Sequence, residues 1–173
     1  MLDPKRISKE AIPAALDKAL RYRLLNEASE AESICRDVLL VDPHNQAALI
    51  TLLLAITDQF ETEFATALGE ANRVLPQIIG DYGQAYYQGI INERWAKAQS
   101  ARGMPGDFAC EWMRKAMRCY EKAEQLSESD DPDALLRWNT CARFLDRKEH
   151  DKPSYASSTH DVEADFGDDM PPR

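Results

Sequence analysis

None of the four cysteines stands close to another: Cys35, Cys110, Cys119 and Cys141 include no C-x-x-C pair. The three histidines, His44, His150 and His160, are equally scattered. Zinc and haem spacings are therefore absent, and no metal or cofactor is expected. Thiols without disulfide or ligand partners suit a reducing compartment, where cysteine serves as a small core residue. A long apolar run is also missing. The most apolar stretch, Ala47 to Ile56, has ten residues with Thr51 among them, whereas a membrane span needs about 20. The opening residues, Met1-Leu2-Asp3-Pro4-Lys5-Arg6, lead into Ser8-Lys9-Glu10 without an apolar segment, so no secretory signal is expected. Nor is there an excess of base. The formal charge of -9 argues against nucleic acid and against anionic membrane surfaces as partners. These absences together predict a cytoplasmic protein.

The 173 residues, 44% of them apolar, suffice for one domain with its own core. Almost every patterned segment has a helical period, and strand-like alternation never lasts beyond a few residues. A first helix starts near Pro13 and carries Leu16, Ala19, Leu20, Arg23 and Leu24 up to Asn26. Ser29-Glu30-Ala31-Glu32 then reads as a capping box opening a second helix with Ile34, Cys35, Val38 and Leu39, which Asp42-Pro43 breaks. A third helix, about Asn45 to Gln59, is apolar nearly all round, the pattern of a helix surrounded by others. A fourth is expected from about Glu61 to Leu75 and a fifth from Tyr82 to Ser100. The loop Arg102 to Gly106 precedes a sixth, Asp107 to Ser127, whose apolar face holds Trp112, Ala116, Cys119, Tyr120 and Ala123. Asp131-Pro132 caps a seventh helix ending near Lys148.

Composition changes after that point. Residues 149–173 contain seven acids and two bases, leaving a charge of only -4 for the rest. This stretch has few large aliphatics and is rich in Ser, Asp and Pro, so it is expected to be a disordered acidic tail. The chain thus divides into a lead-in over residues 1–11, a helical domain over 12–148 and the tail over 149–173.

Small residues recur at a fixed offset. Ala19 and Ala31 are 12 apart, as are Ala55 and Ala67. The same ladder follows each second member: Ala31-x3-Cys35-x2-Val38, Ala67-x3-Ala71-x2-Val74 and Ala116-x3-Tyr120-x2-Ala123. Ala19, Ala55 and Gly89 are spaced 36 and then 34 residues, the period of a helix-turn-helix solenoid whose neighbouring units bury what one cannot. With Tyr22 and Pro43 added to the first unit, the ladder resembles the tetratricopeptide repeat family over about Ile12 to Leu126. Gly89 and Ala116 lie 27 apart, an insertion around the Gly103 loop. The resemblance implies an all-α, right-handed superhelix of about seven helices, the last acting as a cap. It also implies a concave groove lined by the first helix of each unit: Leu16, Leu20 and Arg23, then Leu52, Ile56 and Gln59, then Tyr86, Ile90 and Glu93. The family's clamp for acidic C-termini takes Lys and Asn where this chain has Leu16 and Leu20. The groove is expected to be apolar, suited to an amphipathic helix or an extended apolar peptide. The competing reading makes these side chains core.

Other candidates are set against plainer readings. Asp146 and His150 are one helical turn apart, but no nucleophile or second base accompanies them. Arg114, Arg118 and Lys122, joined by Lys115, form a basic stripe at helical spacing. It suits a phosphate, an acidic peptide or the chain's own tail, unless it is simply a solvated face. Cys119 belongs with Trp112 on an apolar face, so packing is expected before redox reactivity. Trp112, Trp138 and Tyr120 are read as inter-helix anchors. The sequence therefore predicts no enzyme. It predicts a non-catalytic interaction module, an adaptor, scaffold or chaperone-like binder of another protein's segment. The alternative is a structural subunit of a homo- or hetero-oligomer, its groove filled by its own chain or a second copy.

Overall fold

The structure, a computed structural model, describes residues 4–128 and 130–150, and residues 151–173 of the expected tail lie outside these. Every regular element among the described residues is helical. The order is α1 (Ile12–Leu24), α2 (Ala28–Val41), α3 (Gln46–Asp58), α4 (Phe64–Val74), α5 (Asp81–Ala101), α6 (Gly106–Leu126) and α7 (Asp133–His150), with 3-10 turns at Lys9–Ala11 and Leu75–Gln77.

Local chemistry sets most boundaries. Pro13 sits in the first turn of α1, where its missing N–H has no intrahelical partner to lose. Asn45 caps α3: its Oδ1 accepts the Ala48 N–H at 3.0 Å while its amide donates to Asp42 at 3.0 Å. Asp131 accepts the Asp133 N–H at 3.1 Å where α7 begins. Between α5 and α6 the backbone at Gly103 takes φ 72°, a region that costs glycine little.

The expectations need correction in three places. The capping box does not form. Glu27 precedes α2 without a side-chain cap bond, and Glu32 accepts instead from Arg36 Nη2 and Gln59 Nε2, each at 2.6 Å. A guanidinium and an amide outweigh one backbone N–H. Next, α4 starts only at Phe64, because Thr62 and Glu63 turn back to bond the Gln59 carbonyl. Finally, Glu149 and His150 extend α7 beyond Lys148, so the helical domain outlasts its expected end.

The apolar faces meet in two main clusters. The first gathers Ala19, Ala31, Cys35, Leu49, Leu53, Ile56 and Phe60 around α3, with Ile91 and Trp95 reaching in from α5. As its all-round apolarity implies, α3 touches α1, α2, α4 and α5. The second cluster joins α5, α6 and α7 through Ile90, Met113, Ala116, Tyr120 and Cys141. The ladder residues Cys35, Val38, Ala71, Val74, Tyr120 and Ala123 are all buried. At Gly89 the helices approach so closely that a Cβ would stand 2.5 Å from Tyr120 Cε1.

Candidate functional site

The nine residues expected along a concave groove do not form one open apolar strip. Leu52, Ile56 (1% exposed), Ile90 and Glu93 are buried; Leu16, Arg23, Gln59 and Tyr86 are half-buried; only Leu20 is exposed. The cause is the central position of α3 and α5, whose apolar side chains are shared with helices on more than one side.

What links α1, α3 and α5 is instead a row of ion pairs. Arg23 Nε donates to Asp58 Oδ2 at 2.8 Å, and Arg94 Nη1 lies 2.6 Å from Asp58 Oδ1. Arg94 also donates to the Leu54 carbonyl at 2.9 Å and to Thr57 Oγ1 at 2.6 Å. Burial lowers the affinity of Arg94 for its proton, and Asp58 opposes that shift. Beside Arg94 on α5, Glu93 is 0% exposed and holds three helices together. It accepts from Tyr120 Oη at 2.7 Å and from Lys97 Nζ at 2.5 Å, and Arg137 of α7 stands 3.5 Å away. Burial, followed by the neighbouring Glu93 carboxylate, pushes the Tyr120 phenol far above its ordinary range. These groups are satisfied by one another, which is the arrangement of a structural joint.

An open concavity lies elsewhere. Two adjoining hollows of about 480 and 620 Å³ share Ser33, Arg36, Ile56 and Glu70, forming one cleft with α2 and α4 as walls and α3 as floor. Leu49, Leu52 and Ile56 supply the floor, and Leu39, Leu40 and Val74 the walls at one end. Leu40 is 53% exposed, a large aliphatic off the buried face of its helix. Its position relative to Ala31, Cys35 and Val38 is the sequence signal that the groove reading missed. Arg36 crosses the middle, bonding Glu32 at 2.6 Å and Glu70 at 2.9 Å. Of the nine residues expected along the groove, Leu52, Ile56 and Gln59 line this cleft.

The remaining candidates are dispersed. Arg114, Arg118 and Lys122 are exposed on α6, whereas Lys115 pairs with Glu111 at 2.9 Å and covers the Trp112 ring at 4.5 Å. Asp146 and His150 are both exposed at the end of α7. Trp112 meets Trp95 edge-on at 6.4 Å, and Trp138 donates to Glu121 at 2.9 Å. Burial pushes the thiols of Cys35 and Cys141 up to about 11 and about 12, and raises that of Cys119 as well. That direction opposes thiolate formation. No group of three or more potential metal ligands occurs among the described residues, and no described helix is long and apolar enough to cross a membrane.

Comparison with protein families, curated proteins and solved structures finds no match to this chain.

Proposed function

We propose that the protein is a non-catalytic interaction module, a tetratricopeptide-like solenoid that holds a segment of another protein. The cleft between α2 and α4 carries this reading, because it joins an aliphatic floor to an exposed wall residue that nothing in the fold requires. Stacked repeats are supported by ion pairs between residues about one period apart: Arg23 with Asp58, separated by 35, and Arg36 with Glu70, separated by 34. Equivalent helices of neighbouring units would place such residues side by side. The buried thiols favour a reducing, cytoplasmic setting.

The test uses surface residues, because a carboxylate at Ile56 would enter the core and unfold the chain. Leu40→Glu should leave the thermal midpoint within experimental error yet abolish capture of the partner protein. Leu24→Glu, at a site 84% exposed and outside the cleft, should leave capture intact. Unchanged capture by Leu40→Glu would remove the cleft from consideration.

A second reading, association of two copies, is favoured by the exposed Leu24 and Leu25 at the end of α1, 84% and 66% exposed. Its signature is a mass that rises with concentration in the parent and not in Leu24→Glu.

A further inference from the structure

We infer that the occupant of the α2–α4 cleft is a cationic amphipathic helix, about three turns long, with aliphatic side chains at one end and Lys or Arg at the other. The inference rests on reading the cleft as a docking groove and adds the class of partner.

The length follows from the walls. From Ser29 to Leu40, α2 lines the cleft throughout, and at 1.5 Å per residue that is roughly 16 Å. The two ends differ in chemistry. At the α2 C-terminal end the accessible aliphatic surface comes from exposed Leu40 and half-buried Leu39 above the buried Leu49 and Leu52. Pro4 of the chain's own lead-in lies beside them, and the charges of Asp37 and Arg73 there offset each other. At the opposite end, Glu32, Glu63 and Glu70 face a single guanidinium, Arg36, so two negative charges remain uncompensated. Gln59 neutralises none of this charge; it donates one bond to Glu32 at 2.6 Å. The side chains at this end keep access to water, Glu32 at 21%, Glu70 at 35% and Arg36 at 49% exposure, so an arriving cation can reach the carboxylates without dismantling the core.

The secondary structure of the occupant follows from what the walls lack. Both walls and the floor are helices, whose backbone groups are already bonded internally. An extended peptide would find no strand edge there to satisfy its N–H and C=O groups. A helix satisfies its own and needs only side-chain contacts, which is how a helix lies in a groove between helices.

The probe is a fluorescently labelled, helix-stabilised peptide of about 11 residues with leucines toward one end and lysines at the other. It is compared with a peptide carrying glutamate in place of each lysine, and binding to the full chain is followed by anisotropy. Because the whole chain is acidic at -9, charge attraction alone must be separated from the site. Glu63→Gln/Glu70→Gln removes two charges inside the cleft. Glu124→Gln/Asp146→Asn removes two from exposed positions outside it. The expected result is saturable binding of the lysine peptide, at least tenfold weaker to the cleft variant and unchanged for the outside variant, with no binding of the glutamate peptide. Equal weakening by both variants, equal binding of both peptides, or no binding of the lysine peptide would overturn the inference. Leu40→Glu separates the two levels. If it abolishes binding of either peptide while the cleft charges make no difference, the groove stands and only the partner's charge class falls. If it changes nothing, the docking reading falls with it.

Discussion

Gly89 shows how little room a single position can leave. Its missing Cβ is replaced by the ring of Tyr120, which is itself fully buried and tied through its hydroxyl to Glu93. Gly89→Ala should therefore destabilise the fold by about 1–3 kcal/mol in urea denaturation, through overpacking that the ring cannot relieve. Gly69, inside α4, is the internal contrast: its nearest neighbour would be the far end of Arg73 at 3.9 Å. Gly69→Ala should stabilise by about 0.5–1 kcal/mol, since only chain entropy changes. The cysteines give a second expectation. The Cys35 thiol is raised from 9.0 to about 11 and that of Cys141 from 9.0 to about 12, mainly by burial. Below pH 9 both thiols are neutral whether the chain is folded or not, and this contribution is fully present. As pH rises through 9 the unfolded chain ionises first, so stability should fall between pH 9 and 12. Thermal midpoints measured across that range should drop less steeply in Cys35→Ala than in the parent.

At the scale of elements, caps distinguish what is local from what is not. Asn45 holds the start of α3 through two side-chain bonds, and Asn45→Ala should cost about 1 kcal/mol. Ser29→Ala should change stability by less than about 0.5 kcal/mol, because Ser29 caps nothing. Equilibrium unfolding of both variants checks the pair. The sequence made the existence and approximate limits of all seven helices legible, because period, Pro, Gly103 and Asn45 act within a few residues. The Ser29 box failed because Glu32 had partners 4 and 27 residues away, at Arg36 and Gln59. The Arg36 spacing is a local signal, but the bond from Gln59 has none. The same holds for the groove. Leu52 and Ile56 line the cleft, but which helices flank them depends on how helices distant in sequence are set, which the pattern along α3 leaves open. The buried joint at Glu93 was likewise concealed, since its partners come from α6 and α7.

At the scale of the whole molecule, cohesion comes from two large apolar clusters, a smaller one at Ala85, Ala123 and Ala134, and internal ion pairs, and the four cysteines are free. Chelator and reductant should each leave the thermal midpoint unchanged; a fall of several degrees with either would show that an ion or a disulfide supports the fold. The division of the core has a further consequence. Ile90 of α5 faces the second cluster, whereas Ile91 and Trp95 face the first, so this one helix serves as a wall of both. Removal of α7 uncovers Cys141 and its neighbours but leaves the Leu53 and Phe60 region enclosed. Backbone amides should accordingly exchange with deuterium in ranks, α7 losing protection first and the inner face of α3 last. Those of α5 should follow the slower group, since freeing them requires both halves of the interior to part. A chain built this way can loosen its C-terminal edge to solvent while the interior around Leu53 and Phe60 stays closed to water.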